Sequence, residues 1–238
     1  MHEQKAKKKS EVIRVLKQLS KNKLAMIGLV IFVLEIIIAI LAPVIAPYDY
    51  TSMDFLAINA GPSAKHWFGC DDLGRDIFSR IIIGSRYSIT IGICAIALAT
   101  LIGCAIGAVA GYYGGWVDNL IMRILDIIQA IPGMLLMIVA AAMLGPGFVN
   151  TIITMSIGTI PGMARMLRAQ MLKERGNEYI EAETSINCST FRIIMAHLLP
   201  NCMSPIIVQA TMGVGQTITL AAGLSFLGLG QGRDDRGS

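Results

Sequence analysis

The chain has 238 residues, 54% of them apolar and 15% charged, with a formal net charge of +4. Soluble domains carry about 25% charged residues, so this composition cannot present a wetted surface all round. The apolar residues fall in blocks of roughly 20 or more, enough to cross about 30 Å of hydrocarbon. That excludes a water-soluble enzyme domain, a disordered tail and a disulfide-stapled secreted module.

Residues 1–23 hold eight of the twenty Lys and Arg. Their place directly before the first apolar block reads as a cytoplasmic anchor, not a nucleic-acid surface. Val12, Ile13, Leu16 and Leu19 give this segment one apolar face, suited to the headgroup layer. The first span is predicted from Leu24 to Pro47, too long for a signal-peptide core, with Glu35 midway as a bundle-facing acid.

Residues 48–87 form an outer loop ending in an amphipathic elbow of Ile77, Phe78, Ile81 and Ile82. Its carboxylates, including Asp71 and Asp76, lack the spacing of an EF-hand loop. The plainer expectation is a turn at Gly74, a cap at Asp72 or Gly74, and Arg75 balancing the charge.

Further spans are predicted over Ser88–Ala110, Asn119–Leu144, Phe148–Met166 and Asn201–Gly228, giving an all-α bundle with five crossings. Counting basic residues by side gives thirteen against six in favour of an inside amino terminus. Five crossings then leave Ser238 outside. In the second span Ala95, Ala99, Gly103, Gly107 and Gly111 recur every four residues, which lets two helix backbones approach closely.

Polar residues inside the spans are costly in lipid and therefore informative. Arg123 and Asp126 sit three apart on one face and are expected to neutralise each other. Gln129 follows, and Ile131-Pro132-Gly133 predicts a kink. Gln209 and Gln216 share a face of the fifth span. Asp126, Gln129, Gln209 and Gln216 are candidates for a translocation path; the competing reading is hydrogen bonding between helices. The five cysteines are scattered, and no residues are spaced to hold a metal.

Residues 167–200 form the one long cytoplasmic loop of this topology. Asn177 is placed to cap a helix with Glu178 in its first turn and a stripe of Tyr179, Ala182 and Ile186. Asn187 suits a left-handed turn. Ser189 is placed to cap a second helix, where Phe191, Ile194, Met195, Leu198 and Leu199 recur at helical spacing until Pro200 closes it.

Here the residues resemble a known family. Glu181-Ala182-Glu183, three residues, Asn187 and a stretch ending His197-Leu198-Leu199-Pro200 are similar to the EAA loop of bacterial ABC importer permeases. That loop reads Glu-Ala-Ala, three residues, Gly, nine residues, an apolar residue, any residue, Leu-Pro. Glu183, Asn187 and His197 depart from it, although the peptide branch often has His before its Leu-Pro.

Gly61-Pro62-Ser63, His66-Trp67-Phe68-Gly69 and Asp71-Asp72-Leu73-Gly74-Arg75-Asp76-Ile77-Phe78-Ser79-Arg80 resemble the signature of the dipeptide, oligopeptide and nickel branch. So do the run from Gly111 to Asp118, Met122-Arg123-Ile124-Leu125-Asp126, and the run from Leu224 to Gly230. The resemblance covers about residues 10 to 230. It implies a permease core over 88–230 whose family continues into a sixth span, so that the charged residues 231–238 look like a non-family tail after a truncation.

The resemblance further implies a permease subunit in the bacterial cytoplasmic (inner) membrane. Its partners would be a second permease, two ABC ATPase subunits, an extracytoplasmic substrate-binding protein and the bilayer, with no nucleic acid. Glu181, Ala182, Asn187, Phe191, Ile194, Leu198, Leu199 and Pro200 would couple to the ATPases. Asp71, Gly74, Arg75 and Asp76 would meet the binding protein or gate the pathway mouth. ATP and Mg would belong to the partners, because the chain has no G-x-x-x-x-G-K-[ST] loop and carries no cofactor or catalytic residue of its own. The rival is an ion-driven secondary transporter or channel, with Glu35 and the Arg123–Asp126 pair as its relay.

Overall fold

A computed structural model describes residues 22–228. The expected basic helix of 1–23, Leu229 and Gly230 of the last motif, and the 231–238 tail lie almost wholly or wholly outside those residues. The described chain is helical: α1 Lys23–Ile45, α2 Ile77–Tyr113, α3 Gly115–Ala130, α4 Gly133–Leu144, α5 Phe148–Arg175, α6 Glu178–Ser185 and α7 Thr190–Phe226. Two compact units are present, one up to Tyr87 and one from Ser88, with the boundary inside α2.

In the first unit, the Asn22 side chain caps α1 by accepting from the backbone N–H of Leu24 and Ala25 at 3.2 and 3.3 Å. α1 is apolar around almost its whole circumference and largely uncovered within the chain, as a lipid- or partner-facing span must be. Glu35 lies on that uncovered surface, where the sequence places it toward a bundle.

The elbow and the second predicted span form one continuous helix of 37 residues. Its cap is Asp76, whose Oδ2 accepts from Ser79 N–H at 2.8 Å, and not Asp72 or Gly74. Gly74 serves the preceding turn with φ +73°, and a Cβ there would meet the Asp54 carbonyl oxygen at 2.2 Å.

In the second unit, α2 packs on α5 along the small-residue stripe. A Cβ on Gly103 would meet Met163 Cβ at 2.6 Å, and one on Gly107 would meet the Ala164 carbonyl at 2.4 Å. Gly111 faces Met171 in the same way, and Ser156 Oγ donates to the Ala95 carbonyl at 3.1 Å. The spacing read from sequence thus finds its partner in α5.

The predicted kink at Pro132 is a break of 86° between α3 and α4. The proline ring and its missing N–H end one helix and start the next. Among the described residues three helices, α1, α2 and α7, are long and apolar enough to cross a membrane, or four if α3 and α4 together make one crossing. The expected count of five is not reached by this measure. α5 has the length but is interrupted by Asn150, Thr151, Thr154, Ser156, Thr159 and Arg165, three of which it buries inside the bundle.

Candidate coupling and pathway sites

An ion pair between α3 and the first residues of the predicted long loop organises its base. Asp118, at the start of α3, pairs with Arg168 of α5 through both carboxylate oxygens at 2.5 Å. Sequence reasoning missed this pair, because two charges fifty residues apart carry no spacing signal. It sits where α5 carries Arg165, Arg168, Lys173 and Arg175 toward α6.

α6 and the first turns of α7 form a hairpin, as expected. Asn187 has φ +59°, the left-handed conformation predicted for it, and Cys188 N–H reaches back to the Glu183 carbonyl at 3.0 Å. The caps differ from expectation. The Asn177 amide donates to Glu174 Oε2 at 2.8 Å, while the Asn177 backbone carbonyl accepts from Ile180 N–H. Ser189 stands at the cap position of α7 in extended conformation, without a side-chain hydrogen bond.

Pro200 does not end the second helix. α7 passes through a π-helical segment, Ile193–Leu198, and continues to Phe226. A proline ring clashes with the carbonyl four residues earlier in an α-helix, and a wider turn ahead of it relieves that clash. Leu199 N–H accordingly bonds to the Ile194 carbonyl, five residues back.

This wider turn changes which residues face inward. Ile193 and Leu198, five apart, are both buried, and Ile194 and Leu199 are half-buried. Phe191 is 75% exposed and Met195 also faces out. On α6 the buried residue is Ile180, while Tyr179 and Ile186 of the predicted stripe are exposed, Ile186 by 78%. Ile180, Ile193 and Leu198 join Ala108, Leu167, Met171, Cys202 and Ile206 in one core cluster.

Polar ties hold the same root. Tyr179 Oη donates to Glu174 Oε2 and accepts from the Asn201 amide, both at 3.1 Å, and Tyr112 Oη reaches Thr190 Oγ1 at 3.3 Å. Glu181 is exposed, and its backbone carbonyl accepts from the hydroxyls of Thr184 and Ser185. Ala182 lies in the middle of α6, and Pro200 is exposed on α7. The hairpin therefore has a packed root and an apolar tip at Ile186 and Phe191.

The pathway candidates do not converge. Asp126 pairs with Arg165 of α5 at 2.7 Å instead of with Arg123, which has no ion-pair partner among the described residues. A cross-helix partner at that distance displaces the same-helix one. Gln129 lines a cavity of about 240 Å³ at the α3–α4 break, with Ile128, Ile131, Gly133, Leu136, Gly158 and Pro161. α7 contributes nothing to that cavity, so Gln209, half-buried, and Gln216, exposed, lie apart from it.

In the segment before α2, Asp71 is the hub of the turn. Its Oδ1 accepts from Leu73 and Arg75 N–H, each at 2.9 Å, and its Oδ2 binds the guanidinium groups of Arg75 and Arg80. Burial alone would raise this carboxyl, but the Arg75 N–H, its guanidinium and the Leu73 N–H together bring it down to about 2. Asp76 is buried and faces His66 Nδ1 at 2.9 Å. Burial pushes its carboxyl up, and the Ser79 and His66 hydrogen bonds overcome this and lower it. Arg75 balances the charge of the Gly74 turn as expected.

Residues 99–234 match the family described as the binding-protein-dependent transport system inner membrane component. Residues 11–62 match the N-terminal TM domain of oligopeptide transport permease C. The dipeptide transport system permease protein of Alkalihalophilus pseudofirmus is 47% identical over 214 residues, covering 90% of this chain and 70% of that protein. The oligopeptide transport system permease protein of Bacillus subtilis is 44% identical over 209 residues, 88% of this chain and 68% of that protein. The glutathione transport system permease protein of Escherichia coli O157:H7 is 44% identical over 211 residues, 88% of this chain and 70% of its own length. Together with the helical bundle and the hairpin at its end, these matches place the chain in the family of binding-protein-dependent ABC importer permeases of the inner membrane.

Proposed function

We propose that this permease imports peptides, and that residues 177–200 are the handle by which ATPase subunits move it. The observation that carries the reading is the division of the hairpin into a packed root and an uncovered apolar tip, Ile186 and Phe191. An aromatic anchor exposed beside a rigid root is what a groove on a soluble partner would grip. The continuous helix from Thr190 to Phe226 then carries any displacement of the tip into a membrane span.

The remaining parts follow the same logic. The amino terminus and the hairpin lie in the cytoplasm, because basic residues gather in 1–23 and between Arg165 and Arg192. A second permease completes the pathway, two ATPases supply ATP and Mg, and the outer segment built on Asp71 and Asp76 faces a substrate-binding protein. Di- or oligopeptides are favoured as cargo by the names of the relatives, and the glutathione permease among them is itself named for a tripeptide's transport.

A photo-reactive phenylalanine analogue at position 191, in the importer assembled in membranes, tests the handle. Illumination is expected to join this chain to an ATPase subunit, more strongly than the same analogue at Leu101 on the apolar flank of α2. No adduct at 191 would overturn the coupling role. The ion-relay reading loses its support in the geometry: Asp126 is held by Arg165, and Glu35 faces outward on α1.

A further inference from the structure

The two arms of the hairpin are joined by the Asn187 turn, by the apolar root, by the Tyr179–Asn201 hydrogen bond, and by one further contact that none of these explains. His197 Nδ1, in the π-helical segment of α7, lies 3.0 Å from Glu183 Oε1 on α6. Among the described residues this is the carboxylate–imidazole contact that links the two arms. The other carboxylate oxygen, Glu183 Oε2, is buried without a hydrogen-bond partner. The glutamate is also the better covered of the two, with 19% of its side chain exposed against 37% for the histidine.

That asymmetry has a consequence. A half-buried carboxylate with one oxygen already unsatisfied relies on its remaining partner, and removing the histidine leaves it stranded. Removing the glutamate leaves only an imidazole that water can reach. The pair sits one helical turn from Ile180 on α6 and one residue before Leu198 on α7, so it fixes the angle between the arms just beyond their buried root.

We infer that Glu183 and His197 are a positioning pair that sets the angle of α6 against α7, and with it how far a push at the tip travels into the membrane span. The inference rests on the coupling role proposed above. It names two residues that act through the tip residues Ile186 and Phe191.

The test is a double-substitution cycle in the assembled importer, reconstituted in proteoliposomes. The readout is ATP hydrolysis with the binding protein present, divided by hydrolysis without it. His197→Leu is expected to lower this ratio about fivefold and Glu183→Ala about twofold, the range of partly exposed pairs. The double substitution E183A/H197L is expected to recover to within about twofold of the parent, because no charge is left stranded. A role in packing alone predicts that E183A fails to rescue H197L, and that result overturns the pair.

The adduct from position 191 is measured in every variant. Its absence in the parent chain refutes the coupling role itself. Its presence together with an unrescued H197L, or with two silent single substitutions, refutes only the pair. Glu183→Gln and His197→Gln, which stay close in size to the residues they replace, give the same cycle if H197L does not accumulate in the membrane.

Discussion

The segment from Tyr48 to Arg80 and the hairpin of 178–200 solve opposite problems with their side chains. Between Tyr48 and Arg80 most polar groups are spent on one another, with the buried His66 Nε2 left without a hydrogen-bond partner. Asp71 holds Arg75 and Arg80, Asp76 holds His66 and Ser79, and the Tyr48 N–H donates to Ser79 Oγ at 3.2 Å. Trp67 and Phe68 pack on Phe78 with ring centroids 5.0 and 5.3 Å apart. The hairpin buries apolar residues at its root and leaves apolar residues uncovered at its tip. A segment whose charges are satisfied internally presents a preformed shape, whereas an uncovered Phe191 presents free energy that a partner can release by covering it. The first kind of surface suits docking by fit, the second suits mechanical grip.

Breaking the turn of the hairpin should have the largest effect. Asn187→Pro forces a residue fixed near φ −65° into a position that needs +59°. Uptake is expected to fall about tenfold or more, as the local backbone strain is worth several kcal/mol, while the amount of chain in the membrane stays within twofold. Uptake at the parent level would show that the hairpin geometry does not matter.

Loosening the segment built on Asp71 should cost less. Asp71→Asn removes the charge that holds Arg75 and Arg80, with a local penalty of about 1–3 kcal/mol. The emission of Trp67, isolated by Trp116→Phe, reports whether its packing on Phe78 relaxes. Uptake in this variant is expected to remain above that of Asn187→Pro, and the reverse order would invert the contrast between the two regions.

Acid gives the smallest and most reversible probe. The Asp71 carboxyl is held at about 2 in the folded segment, below its ordinary value of 3.8, so the unfolded segment takes the proton first. Its contribution is complete above pH 4 and is lost as the pH falls through about 2. Trp67 emission should therefore stay flat from neutral pH to about 4 and change below it in the parent chain, a change that Asp71→Asn abolishes. A transition centred near pH 6 would assign the stability of the segment to other groups.

Several features were legible because they are local. Asn187 at a left-handed turn, the small-residue stripe of α2, the break at Pro132 and the balance of Asp71 by Arg75 each follow from a residue type at a short spacing. Partner choice was not legible. Arg123 sits three residues from Asp126, yet Arg165, thirty-nine residues away, holds that carboxylate. The inward face of the second hairpin helix was misread for a different reason. A period of 3.6 selects Phe191 as a facing residue, and the π-helical segment ahead of Pro200 selects Ile193 instead.

Sequence alone decided that this chain is helical, that it belongs in a membrane, and that it carries the hairpin of an importer permease. The first two depend on composition and on neighbours within a few positions, and the third rests on the resemblance of the motifs to a known family. Tertiary structure decided which charges pair, which arm faces hold the root, and that α5 is a polar helix kept inside the bundle. Such choices depend on distances between segments far apart in the chain, and hydrophobic periodicity carries no information about them.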